Sequence, residues 1–144
     1  MAVQLSRRVE YALLALIDLA IEGREERVQL HDIAQRQAIP EKYLEQLLRP
    51  LKTSGVVIST RGSRGGYQLA REPREVTVLE VVEAVEGPLT PDDAPAAETV
   101  GGQVVRALWD GLHLEVSRYL GSIRLSELAQ QYQTRRAAKE DWVI

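Results

Sequence analysis

The stretch from Leu30 to Ala70 constrains the fold more than any other part of the chain. It opens with Leu30-His31-Asp32-Ile33-Ala34-Gln35-Arg36-Gln37, about two helical turns that put Ile33 and Ala34 on one side. Ala38-Ile39-Pro40 breaks this helix, and Pro40 suits the first turn of the next one, where a missing N–H loses no partner. The spacing predicts that second helix over residues 41–54. Leu44, Leu47, Leu48 and Leu51 form its apolar stripe, and Glu41, Lys42, Glu45, Gln46, Arg49 and Lys52 form its polar side. Pro50 predicts a kink or local tightening near residue 46, and Gly55 predicts the stop. Val56-Val57-Ile58-Ser59-Thr60 then reads as a strand, Arg61-Gly62-Ser63-Arg64-Gly65-Gly66 as a turn, and Tyr67-Gln68-Leu69-Ala70 as the returning strand.

The flanking segments are helical. Leu5, Val9, Ala12, Leu13, Leu16, Ile17 and Ala20 recur at three- and four-residue steps, with Ser6 as N-cap and Gly23 as stop. Thr77 caps a helix that turns Leu79, Val82 and Val85 inward and closes at Gly87-Pro88. Residues 88–102 hold three prolines, the pair Gly101-Gly102 and the acidic pair Asp92-Asp93, and read as a flexible loop. Val104, Leu108, Leu112, Val116, Tyr119 and Leu120 mark a long helix from Gln103 to Leu120. A short helix over residues 126–132 and a charged, fraying tail follow. The expected partition is residues 1–87, a loop at 88–102, and 103–144.

Composition narrows the function. The 144 residues suit one compact domain, or one domain plus an appended dimerisation element, and with no Phe the core must come from Leu, Val, Ile and Ala. Cysteine is absent, which excludes disulfides, Cys-ligated zinc and Cys-ligated iron–sulfur clusters. The apolar run from Tyr11 to Ile17 is too short to span a membrane, and no secretory signal is recognisable, so a cytoplasmic protein with no membrane partner is expected. The net charge is −3, but it is unevenly spread. Residues 40–71 hold six basic and two acidic side chains, a net +4, whereas residues 76–144 hold six basic and eleven acidic, a net −5. One half can face phosphates and the other cannot.

Two helices at a tight turn followed by a Gly-tipped hairpin give a mainly α fold with a small β-hairpin, a winged helix-turn-helix with a long C-terminal dimerisation helix. A helix fits the major groove and shows its polar side to base edges, while a hairpin tip can place an arginine in the narrow minor groove. The candidate DNA-binding residues are therefore Glu41, Lys42, Glu45, Gln46, Arg49 and Lys52 on the helix, Arg61, Ser63 and Arg64 on the hairpin, and Arg7 and Arg8 at the chain's first helix. The candidate dimer-interface residues are Val104, Leu108, Leu112, Val116, Tyr119 and Leu120. The partners expected are double-stranded DNA with a palindromic operator and a second copy of the chain; an effector is left open between a metal, a small metabolite, a partner protein and none.

Bland readings compete with these. A charged helix face is usually just solvated. Gly62 to Gly66 lacks the Lys-Ser/Thr ending of a phosphate loop and leads into a strand. His31 and His113 are lone histidines, Asp92, Asp93 and Glu98 suit a solvated loop better than a cation site, and Tyr43 belongs to the edge of the core. No spacing suggests an activated nucleophile, so no catalytic or metal residue is assigned and an enzyme is not expected. The alternative is a winged-helix module that makes protein contacts without its own DNA specificity.

Three segments resemble a known family. They are Leu5-Ser6-Arg7-Arg8-Val9-Glu10-Tyr11-Ala12-Leu13, Tyr43-Leu44-Glu45-Gln46-Leu47-Leu48 and Thr60-Arg61-Gly62-Ser63-Arg64-Gly65-Gly66-Tyr67-Gln68-Leu69. The family includes the iron–sulfur sensor IscR, the nitric-oxide sensor NsrR and the cysteine-metabolism repressor CymR. The resemblance covers residues 3–87 and resumes at Ala107-Leu108-Trp109. It implies a dimeric regulator whose long helices pair across a two-fold axis. It also implies that Glu45 discriminates bases and that Arg61 enters the minor groove. Cluster-binding members carry three cysteines before Ala-Leu-Trp, the last four residues ahead of its alanine, and a histidine one residue ahead. Here those two places hold Gln103 and Arg106, so the resemblance implies a member without cofactor.

Overall fold

The computed structural model describes residues 6–89 and 98–142. Leu5 and the pair Asp92-Asp93 lie outside the described residues, as does most of the expected loop.

Helix α1 spans Arg7–Glu22. The Ser6 hydroxyl accepts from the Val9 N–H as N-cap, and the Gly23 N–H donates to the Leu19 carbonyl to end it. Helix α2, Leu30–Gln37, ends at Ala38, which adopts a left-handed conformation (φ 54°). A non-glycine residue there costs about 1–2 kcal/mol. The turn lets the Ile39 N–H reach the Ala34 carbonyl at 2.9 Å and buries the Ile39 side chain, which offsets that cost. Helix α3, Glu41–Thr53, has Pro40 as its N-cap and runs unbroken through Pro50. It ends at Gly55, whose left-handed conformation (φ 81°) lets its N–H donate to the Lys52 carbonyl and the Val56 N–H to that of Leu51.

Strands β1 (Val57–Thr60) and β2 (Gly66–Leu69) pair antiparallel, from Val57 opposite Leu69 to Thr60 opposite Gly66. Val28 adds an isolated antiparallel bridge to β2 by exchanging backbone hydrogen bonds with Tyr67 in both directions, at 2.9 and 2.8 Å. A 3-10 turn at Pro73–Glu75 leads to α4, Val78–Glu86, whose N-cap Thr77 accepts from the Glu80 N–H. Val81 joins Val82 and Val85 in the core, while Leu79 is half-buried.

Helix α5 spans Val100–Gly121, so it starts three residues earlier than the sequence pattern suggests. Thr99 is the reason: its hydroxyl caps the Gly102 N–H, and the first turn tolerates Gly101 and Gly102 once a cap initiates it. The larger difference is α6. It runs from Leu125 to Asp141, far beyond the expected stop at Tyr132, and the segment expected to fray is helix as far as Asp141. Leu125 lies in the core and Leu128 and Ala129 pack against it, so α6 lies across α1. Farther along, Arg136 reaches Glu22 at 3.4 Å and covers the Tyr132 ring.

A buried ion pair joins α1 to α2. Asp18 is 2% exposed and receives two parallel hydrogen bonds of 2.9 Å from Arg36, plus one from the Gln37 amide at 3.0 Å. The same Gln37 amide lies 3.4 Å from the Tyr132 hydroxyl, which brings α6 into the network. The Asp18 hydrogen bonds, and secondarily its charge, raise the Arg36 pKa further above its already high ordinary value, against desolvation.

Candidate nucleic-acid interface

Helix α3 owes its orientation to its leucines. Leu44, Leu47, Leu48 and Leu51 are fully buried, which forces Glu41, Lys42, Glu45, Gln46, Arg49 and Lys52 outward. The hairpin stands beside this outward face. Glu45, Arg49 and Lys52 line one groove with Ser59, Thr60 and Arg61 of the hairpin and with Gln29. Four of the candidate residues are thus brought together in one concavity. Lys42, Gln46 and Glu41 lie on the exposed flank of α3, and Ser63 and Arg64 at the exposed hairpin tip.

The charges in and around this groove are uncommitted. Among the described residues, Lys42, Arg49, Lys52, Arg61 and Arg64 make no ion pair, whereas Arg36, Arg71, Arg118 and Arg136 each have a carboxylate partner. An unpaired exposed cation beside an open concave face is suited to an anionic partner. Arg7 is partly engaged, 4.0 Å from Glu10 and over the Tyr11 ring, while Arg8 is exposed. Tyr43 stacks edge-on against Tyr11 at the margin of the core, and Glu41 contacts His31 at 3.3 Å. Gln29, Ser59 and Thr60 were missed in the sequence. Gln29 precedes α2 without any polar pattern around it, and the two hydroxyls looked like ordinary strand residues.

On α5 the six candidate interface residues do not share one fate. Val104, Leu108 and Tyr119 are exposed, Leu112 is half-buried, Val116 packs against the core, and Leu120 is buried within this chain's own core. Leu120 is therefore not on the open face. Val100, Val105 and Trp109 extend that face instead.

Two helices at a tight turn with a hairpin beside the second define a winged helix-turn-helix protein. A family profile described as "Rrf2: Iron-dependent Transcriptional regulator" matches residues 5–131. The chain is 36% identical over 129 residues to protein rrf2 of Nitratidesulfovibrio vulgaris, covering 87% of this chain and 86% of that protein. It is 37% identical to IscR of Xenorhabdus nematophila, covering 88% of this chain and 79% of that protein. The structure of CymR from B. subtilis, described as the global cysteine regulator, superposes with a TM-score of 0.78 at 35% identity, covering 90% of this chain and 98% of that one. The chain belongs to the Rrf2 family of DNA-binding transcription regulators and is not an enzyme.

The family description names iron, but the residues present do not fit an iron–sulfur cluster. The chain has no cysteine, and Gln103 and Arg106 stand in the first turns of α5 at the two places assigned to ligands. An amide oxygen binds iron weakly and a guanidinium is a cation throughout the accessible pH range. Among the described residues no three His, Asp or Glu side chains converge as a metal site, and no helix is long and apolar enough to cross a membrane.

Proposed function

We propose that this protein is a sequence-specific repressor that binds a palindromic operator as a homodimer in the cytoplasm, without an iron–sulfur cluster. The convergence of Glu45, Arg49, Lys52 and Arg61 in one groove, with the three cations free of ion pairs among the described residues, carries the reading. Residues 1–87 form the DNA-reading unit, and the segment from 103 onward holds the dimer helix. Helix α3 enters the major groove, where Glu45 accepts from a cytosine amino group and Gln46 and Arg49 address neighbouring bases. Arg61 and Arg64 enter the minor groove, with Ser63 at the tip. Lys42, Lys52, Arg7 and Arg8 meet phosphates, which position the protein without reading sequence.

The exposed stripe of α5 supports the dimer. Val104 and Leu108 are 66% and 67% exposed, and a contiguous apolar face of this kind marks an interface. Two copies related by a two-fold axis read two half-sites, which makes the operator palindromic. A dimer on promoter DNA represses by occupying it.

Selection of bound sequences from a random DNA pool by the purified protein, followed by shift assays across a salt series, tests this. A palindromic consensus bound with a steep salt dependence is the expected result. No affinity even at low salt would favour a winged-helix module used for protein contacts. Protein purified anaerobically should be colourless, and a visible chromophore with stoichiometric iron and sulfide would overturn the cluster-free part.

A further inference from the structure

Gln29 occupies the N-cap of α2 with extended backbone (φ −72°, ψ 144°), yet its side chain caps nothing. Ser, Thr, Asp or Asn would serve that position better. Its amide nitrogen instead donates to the carbonyl of Gly65, 36 residues away in the wing turn. Two neighbouring facts make the contact more than incidental. Gly66, at φ 140°, sits so close to the preceding segment that a Cβ there would stand 2.6 Å from the Val28 carbonyl oxygen. Val28 itself holds Tyr67 by two backbone bonds. The wing base is thus fixed by backbone at residue 67, and the Gln29 amide adds a hold nearer the tip, at residue 65. Beyond it, the Gly65 N–H closes the turn onto the Gly62 carbonyl at 2.9 Å. Gln29 also lines the same groove as Glu45 and Arg61.

We propose that Gln29 is a positioning residue for the wing: its bond to the Gly65 carbonyl fixes where Arg61 stands relative to Glu45, and so sets the offset between minor-groove and major-groove contacts. This rests on the reading of Arg61 as a minor-groove side chain. A residue that gives up a cap to hold a loop trades local helix stability for the placement of that loop.

Gln29→Ser separates the two roles. Serine can cap α2, but its hydroxyl ends two bonds nearer the backbone and does not reach Gly65. The variant should melt no lower than the parent and lose about two- to tenfold in DNA affinity, the worth of one hydrogen bond. The slope of log affinity against log salt should become shallower by about one as Arg61 disengages. In an Arg61→Ala background the same change should have no further effect. Backbone 15N relaxation without DNA should show residues 61–64 loosening in Gln29→Ser.

An unchanged wing together with parental affinity overturns the proposal. A loss that adds fully to that of Arg61→Ala also overturns it, because Gln29 would then contact DNA directly. If the parent binds no DNA at low salt, the DNA reading falls and the role of Gln29 on DNA falls with it. The relaxation data then report separately whether the amide holds the wing.

Discussion

Helices α3 and α5 are both amphipathic, yet only one has its apolar side covered. The four leucines of α3 are buried by α1, α2, β1 and α4 of the same chain. On α5, Val116 and Leu120 reach the core at the C-terminal end, while Val100, Val104, Val105, Leu108 and Trp109 stay open. An apolar stripe says that a face must be covered but not by what. Sequence periodicity is identical for a core and for an interface. The α3 stripe is a folding element, whereas the α5 stripe leaves its apolar side chains exposed in this chain and suits the proposed association.

Substitution on the two stripes should give the largest contrast. Leu47→Ala empties a fully buried site and should cost about 2–5 kcal/mol of stability, read by denaturant titration. Leu108→Glu should leave the fold of each chain intact while converting dimer to monomer in light scattering at micromolar concentration. A folded Leu108→Glu variant that remains dimeric would move the interface off α5.

Next in size is the ion pair that holds the helix-turn-helix to α1. Arg36→Ala leaves Asp18 buried with only the Gln37 amide as partner, and should cost about 3 kcal/mol, near the lower end for a broken buried pair because Arg36 is itself part-exposed. On the pH axis the sign is fixed by the raised Arg36 pKa. Its contribution is fully present below the guanidinium's unfolded pKa and lost only as pH rises past the folded one, in strongly alkaline solution. Stability measured between pH 6 and about 9 should therefore show no step from this arginine. A step there would assign the interaction to some other group.

Effects on DNA come third. Arg61→Ala should weaken binding on all sequences and flatten the salt dependence, whereas Glu45→Ala should relax base preference by about 1–3 kcal/mol at one position of the half-site. Equal losses on every sequence for both variants would abolish the division between wing and helix.

The elements that were legible share one property: their buried face has a period. Helices α1 to α4 and the hairpin follow directly from apolar spacing and turn residues. The second half of α6 has no such signal, because Gln133, Thr134, Arg135, Arg136, Lys139, Glu140 and Asp141 present no stripe. It is helical through good helix formers such as Ala137 and Ala138 and through tertiary contacts like Arg136 with Glu22. Asp18 was equally silent, since its partner Arg36 lies in another helix. At the candidate site, the outward placement of the polar residues on α3 and at the wing tip was legible from type and position. The contact of Gln29 was not, because it depends on a carbonyl that only folding brings near.

Helix α3 contains no glycine, whereas α5 carries Gly101, Gly102, Gly111 and Gly121. Glycine inside a helix costs about 0.8–1.0 kcal/mol relative to alanine. Gly111 lies one turn from Leu108, beside the open stripe, and a Cβ built on it meets nothing within 4 Å in this chain. If α5 is limited only by its own helix propensity, Gly111→Ala should stabilise the protein by about that amount. Its dimerisation constant, measured by sedimentation, should then stay unchanged. If the partner's helix instead approaches closely at residue 111, the added methyl would overpack the contact and weaken the dimer, while leaving the helicity of α5 no lower. With the space around Gly111 open in this chain, the first outcome is expected, and the second would locate the closest approach of the two α5 helices.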